Sequence, residues 1–385
     1  MRDRLRVPSI PSTVALAAVV ACGGRAEPER TPPRKAAPSE AASSETAKPG
    51  PPAPAARDDA KYAWKLPTGI AAPPPVPADN PMTPAKVALG ERLFFDGRLS
   101  VDGSRSCYSC HRDACGNADC RVKALGAGDK PLPRNTPTIW NVGFRKSLYW
   151  DGRAPSLEKQ ALGALKGGNM GLGDGLAAKA AEIGKLPEYA SAFAEAFGLE
   201  EGATVTPDHV AKALSAYERT LLCGDTAFDR KELSPAAERG FALFTGKAGC
   251  ISCHAGQDFT DGLFHNVGIG VPADGKPTET ADTGRMRVTK DPADAYRFRT
   301  PTLRNVAKTA PYFHDGSVAD LTEAVRIMAS GGRRVPGVDP LLQDRKLSDA
   351  EIADIVAFLE SLTCPGTLER DGGPKDSGKA PPSGA

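Results

Sequence analysis

Two pentapeptides constrain this chain more than any other feature: Cys107-Tyr-Ser-Cys110-His111 and Cys250-Ile-Ser-Cys253-His254. Both read C-x-x-C-H. Two thiols three residues apart on a helical turn can reach the two vinyl groups on one porphyrin edge, and the following imidazole then projects to the iron. Zinc would need four ligands per site, and no second C-x-x-C or H-x-x-x-H stands nearby to complete either one. A thioredoxin-like redox pair needs no following histidine and sits on an α/β pattern, which is absent. The two motifs use two of only five histidines. Two covalently attached c-type haems, with His111 and His254 as axial ligands, are the expected cofactors.

Around the motifs the signals are helical. "TPAKVALGERLFF" offers Thr83 as N-cap and Pro84 at the first helical position, with Val87, Leu93 and Phe94 on one side. "TPDHVAKALSAYERTLL" repeats the device from Thr206, with Val210, Leu214, Tyr217 and Leu221 at helical spacing, and "SPAAERGFALF" does so from Ser234. "LSDAEIADIVAFLESL" carries the capping box Ser348 and Glu351. A Pro-capped helix precedes each pentapeptide, so one module occurs twice, about 143 residues apart. The fold expected is all-α, with an N-terminal module over 78–228 and a C-terminal one over 229–365. Cys115 and Cys120 are left over as candidates for a local disulfide. Cys223 and Cys364 close the last helices of the modules; they are either a staple between them or free buried thiols.

The first residues read as a targeting segment over 1–22. "MRDRLRV" supplies three arginines, and "VALAAVVA" is an apolar run too short to span a bilayer. Cys22 closes the run, as in the lipobox of bacterial lipoproteins; ordinary signal cleavage beside a chance cysteine is the alternative. Residues 23–77 and 366–385 are rich in Pro, Ala, Ser and charge, and are expected to be a disordered tether and tail. Lysine and arginine number 49 against 47 acidic residues. That balance gives no electrostatic case for nucleic acid.

"LGERLFFDGRLS", "RNTPTIWNVGF", "YWDGRAPSLEKQA", "ERTLLCGDTAFDR", "FHNVGIG" and "TPTLRNVAKTAPYFHDGSVADLTEAVRIM", with the two pentapeptides, resemble the bacterial di-haem cytochrome c peroxidases and their MauG relatives. The resemblance covers about residues 82–363 and implies two cytochrome c-like domains with one haem each. Electrons would arrive at the C-terminal haem from a small cytochrome c or blue-copper protein, and hydrogen peroxide would react at the N-terminal one. It implies Met328 as second ligand of the C-terminal iron, which suits a high-potential carrier. It also implies Trp150 as a bridge between haems, and a calcium ion held by Asn135 with the carbonyls of Thr309 and Pro311. Taken alone, Met328 would be read as core filling and Trp150 as a packed indole. His265 and His314 fall within family motifs and are read as structural. His209 is read as solvent-facing. Further expected partners are a membrane on its periplasmic side, through the lipid on Cys22, and a second copy in a homodimer.

Two departures from that family stand out. Many members carry a distal histidine after the first pentapeptide, yet 112–150 contains none. An open or water-ligated N-terminal iron is therefore expected, with Met170 or a lysine as the only weak contenders. The family also places a glutamate about twenty residues after the "WDGR" tryptophan, to move peroxide's proton. Here Asn169 or Met170 stands there. Asparagine can hydrogen-bond peroxide but cannot shuttle a proton, which leaves Asp174 as a substitute through a one-turn shift. The readings left open are a peroxidase, a MauG-like oxidase of a partner protein, and a non-enzymatic electron carrier or sensor.

Overall fold

The computed structural model describes residues 62–366. The targeting segment with Cys22, and nearly all of the tail, lie outside the described residues. Part of the expected tether does not: residues 62–77 lie along the folded body. Ile70 is buried there, and Tyr62 and Trp64 pack against the first module's core. The Thr68 amide donates to Asp225 Oδ1 at 2.9 Å, and Arg219 Nε donates to the Pro75 carbonyl at 3.3 Å. Tyr62, Trp64 and Ile70 anchor a segment whose composition, averaged over 23–77, reads as tether, and these bonds pair its backbone.

The first module is built from α1 (Pro84–Phe95), α2 (Leu157–Lys166), α3 (Leu176–Gly184), α4 (Pro187–Phe197) and α5 (Pro207–Arg219). The second contains α6 (Pro235–Thr245), the single turn α7 (Met286–Thr289), α8 (Leu321–Ala329) and α9 (Asp349–Glu360). The sheet among the described residues is two short antiparallel strands, β1 (Phe264–His265) and β2 (Phe298–Arg299). The predicted caps form. Thr83 accepts from the Lys86 amide, Ser234 from the Ala237 amide, and Ser348 with Glu351 makes both bonds of its capping box.

The duplication legible in the pentapeptides extends to the helices and loops around them. In each module the first helix crosses the last at a glycine. A Cβ added at Gly90 would stand 1.9 Å from the Ala213 carbonyl oxygen, and one at Gly240 would stand 1.9 Å from that of Asp354. Glycine is required at both crossings because the backbones approach too closely for any side chain. Asn141 and Asn305, both left-handed, perform one task twice. Asn141 donates its amide to the Leu221 carbonyl and accepts from Cys223 N at 2.8 Å. Asn305 donates to Leu362 and accepts from Cys364 N at 2.9 Å. Thr138 and Thr302, three residues earlier, bond the loops that follow the pentapeptides, at Gly116 O and Asp258 O.

Several contacts join the modules around one line. Cys223 is disulfide-bonded to Cys364, while the Cys115–Cys120 disulfide lies within the first module. Arg134 forms a bidentate pair with Asp282, at 2.6 and 2.8 Å. The Asn135 amide donates to the His314 carbonyl, and the Arg299 amide to that of Trp150. Asn141 Nδ2 reaches Asp258 Oδ1 at 3.0 Å.

Candidate haem centres

Each pentapeptide opens onto a cavity. The first, 870 Å³, is lined by Cys107, Cys110, His111, Trp150, Asn169 and Glu218 among others. The second is slimmer, 220 Å³, and mainly apolar; Cys250, Cys253, His254, Met328, Trp150 and Leu359 contribute to it. Trp150 and Arg299 line both. The Trp150 ring is fixed by its Nε1, which donates to the Asn135 carbonyl at 2.9 Å.

The two histidines are prepared alike. His111 Nδ1 meets the Asn117 carbonyl at 3.0 Å, and His254 Nδ1 meets that of Phe259 at 2.9 Å. Donation from Nδ1 fixes the tautomer and leaves the Nε2 lone pair for a metal. Burial holds the His111 imidazole at about 4 and depresses that of His254, so both are neutral, as ligands must be. The four pentapeptide cysteines are unbridged, whereas Cys115, Cys120, Cys223 and Cys364 are paired. Burial pushes the Cys110 and Cys250 thiols up to about 11.

The repeat aligns the cavity walls residue by residue. Pro137-Thr138-Ile139-Trp140-Asn141-Val142 matches Pro301-Thr302-Leu303-Arg304-Asn305-Val306. The same register carries the Leu148–Ala154 bridge onto Tyr312–Val318 and the start of α2, Leu157, onto the start of α8, Leu321. Gln160, Ala161, Ala164 and Leu165 line the first cavity; Ala324, Val325, Met328 and Ala329, at equivalent positions, line the second. Ala164 is thus the counterpart of Met328. The last helices align too, through Leu221 with Leu362 and Cys223 with Cys364. That register pairs Leu214 with Ile355 and Glu218 with Leu359, and all four line their cavities.

Comparison with known proteins agrees with this duplicated architecture. The family model for di-haem cytochrome c peroxidase matches residues 84–234, and that for cytochrome c matches 237–363. A cytochrome-c peroxidase, IdrP1, of Denitromonas iodatirespirans is 39% identical over 350 residues, covering 83% of this chain and 91% of its own. The methylamine utilization protein MauG of Methylorubrum extorquens is 40% identical over 295 residues, 75% of this chain and 81% of its own. A crystal structure of a MauG-like protein associated with microbial copper homeostasis superposes with a TM-score of 0.74 at 34% identity, covering 80% of this chain and 97% of that one. The chain belongs to the di-haem cytochrome c peroxidase family.

Members of this family are oxidoreductases with a c-type haem in each of two cytochrome c-like domains, and the residues present here fit that cofactor twice. Besides the thiols and imidazoles, two buried guanidinium nitrogens at the first cavity, Arg105 Nε and Arg145 Nε, have no partner. Unsatisfied buried donors of this kind suit the carboxylates of a porphyrin. Arg299 sits between the cavities without a carboxylate bonded to it. Burial, then the neighbouring charge of Arg145, lowers it to about 9.

The expected site residues divide. Cys107, Cys110, His111, Trp150, Asn169 and Met170 come together at the first cavity; Cys250, Cys253, His254 and Met328 do so at the second. Asp174 does not join them. Its side chain is fully exposed and lies 3.5 Å from Lys166 Nζ, because residues 173–175 form a surface turn leading into α3. His209 is half-buried rather than solvent-facing: it closes a capping box with Thr206 and packs against the Phe197 ring. His265 is held by Asp339 at 2.7 Å and Asp261 at 3.0 Å, and His314 stacks on Phe298 at 3.5 Å; both line the second cavity. His111 is the one histidine lining the first. Asp261 and His265 also stand near Cys253 as a metal-like trio, but Cys253 is committed to the pentapeptide. Glu218 was missed. Its signal was a charged residue four positions after Leu214, on the apolar stripe of α5.

Proposed function

We propose that the chain reduces hydrogen peroxide to water at the first cavity. Electrons would arrive singly from a small cytochrome c or blue-copper protein at the second. The observation that carries this reading is the asymmetry of two otherwise matched pockets. His254 is faced by a cavity containing Met328, whereas His111 is faced by one with Ala164 at the same position and no other histidine. His254 and Met328 would hold the second haem from both sides, which suits electron storage, and the first cavity would keep room for an outside molecule.

When bound, the haems supply the redox chemistry. The chain's own residues do the rest. Trp150 lines both cavities, which supports it as the bridge between them. Asn169 can hydrogen-bond peroxide. The proposed calcium would draw on Asn135, Thr309 and Pro311, and the Asn135 amide's bond to the His314 carbonyl supports the approach of those two segments. The short apolar run ending at Cys22 supports a lipid-anchored protein on the periplasmic side of a membrane. No helix among the described residues is long and apolar enough to cross one. A homodimer remains part of the proposal.

A second reading is favoured by Asn169, which replaces the carboxylate expected there: a MauG-like oxidase that directs oxidising equivalents to a partner protein. Met328 counts against it, since the resemblance implies a tyrosine at that place in MauG. One experiment separates the readings. The haem-loaded protein is reduced by one electron, mixed with peroxide, and followed by its Soret band and by turnover of a donor cytochrome. Sustained donor oxidation supports the peroxidase. Peroxide consumption without donor turnover, with oxidation of an added partner protein, supports the MauG-like reading. Inertness supports a carrier or sensor.

A further inference from the structure

The cavity that lacks the expected carboxylate at position 169 contains another. We infer that Glu218 is the proton-holding group of the first cavity, taking the place of the carboxylate that Asn169 cannot supply. This rests on the peroxidase reading above.

Four observations carry it. Glu218 lines the cavity and is only 8% exposed. Its Oε2 has no hydrogen-bond partner, in a protein whose other cavity-lining carboxylates are paired: Asp151 with Arg134 and Arg153, Asp282 with Arg134. The adjacent cation is already engaged, since Arg219 bonds Glu158 at 2.8 Å and the Ser215 carbonyl. The position itself does not call for a charge. The second module has Leu359 there, and Leu packs the same helix crossing without the cost of an unpaired buried carboxyl. A glutamate retained where leucine fits is placed for chemistry rather than packing.

The charged and titratable groups within electrostatic reach are Arg219 beside it, Glu158 on α2, Cys107 of the pentapeptide and Tyr149 before Trp150. Burial dominates: it raises the carboxyl to about 8, with Arg219 opposing and Glu158 assisting. At neutral pH Glu218 is a carboxylic acid and can donate. As the O–O bond of peroxide breaks, the departing oxygen keeps its own hydrogen, takes the Glu218 proton and leaves as water. The other oxygen becomes water with two electrons from the donor redox protein and one proton from solvent. A further solvent proton restores the acid, so that one H2O2, two protons and two electrons give two waters.

The test compares wild type with E218Q in the haem-loaded protein, by peroxide consumption across pH and by the infrared band of a protonated carboxyl. Wild type should consume peroxide at a rate that falls as pH rises through about 8, and the carboxyl band should fade over the same range. E218Q should lose about a hundredfold in rate, along with that alkaline limb and the band. E218Q,N169E should recover part of the rate. If E218Q fails to take up haem, E218L, which copies the second module, replaces it. Unchanged rate and pH profile in the variant overturn the assignment while leaving the peroxidase reading intact. A wild type inert to peroxide overturns that reading instead. The infrared band then decides for Glu218, and its absence overturns the assignment.

Discussion

Ala164 stands in the first module where Met328 stands in the second. The two modules bring equivalent helices, α2 and α8, to equivalent cavities, and at this position one presents a methyl group and the other a thioether. Under the proposed division of labour this side chain is the one that would close the second site and leave the first open, in a frame that Asn141 and Asn305 keep alike.

Placing methionine at the first position should close that site. A164M is expected to convert the first haem to a low-spin, doubly ligated state in the ferric absorption spectrum. Peroxide consumption should fall below about one hundredth of wild type. A variant that keeps a high-spin component and full activity would show that the helices, though equivalent in sequence, aim differently.

The reciprocal change tests the other site. M328A should lower the reduction potential of the second haem by on the order of 0.1 V, within the ~0.8 V span that axial ligands set. A spectroelectrochemical titration reads this directly. An unchanged potential would mean that Met328 is core filling.

Arg304 and Asp229 form a bidentate pair whose side chains are 1% and 2% exposed, and Arg304 also donates to the Gln257 carbonyl beside the second pentapeptide's loop. D229N leaves a buried guanidinium uncompensated. It should cost about 3–5 kcal/mol in denaturant unfolding. Arg304 and Asp229 replaced together by apolar residues should cost much less.

The contact between modules carries a pH signature. Burial pulls the Asp282 carboxyl upward, but its hydrogen bonds and charge pairing with Arg134 outweigh this and hold it at about 2. A carboxyl depressed in the folded state contributes stability that is present above its unfolded value, near 4, and is lost as pH falls toward 2. Thermal melts of wild type and D282N should therefore differ most above about pH 4 and converge below about pH 2. A difference independent of pH would place the effect in packing rather than in the ion pair.

Much of this was legible in the sequence. The pentapeptides announced both cofactor sites, and the caps at Thr83, Thr206, Ser234 and Ser348 fixed where helices begin, because capping is a local interaction between residues three apart. What was not legible depended on chain path. Asp174 was close in sequence to Asn169, but a surface turn carries it into solvent. Residues 62–77 were hidden by the Pro- and Ala-rich stretch they follow, yet Tyr62, Trp64 and Ile70 dock on the body and backbone bonds to distant side chains hold the segment there. Glu218 hid in a helix read by its apolar spacing. Only the alignment of one module on the other, with Leu359 at the same place, makes it stand out.

Whether one haem is open and the other closed is tested most directly by the ferric spectrum of the unmodified, haem-loaded protein. Equal amounts of a high-spin and a low-spin His/Met haem, with cyanide binding to only the first, are the predicted result. Two fully low-spin haems at rest, neither binding cyanide, would contradict it.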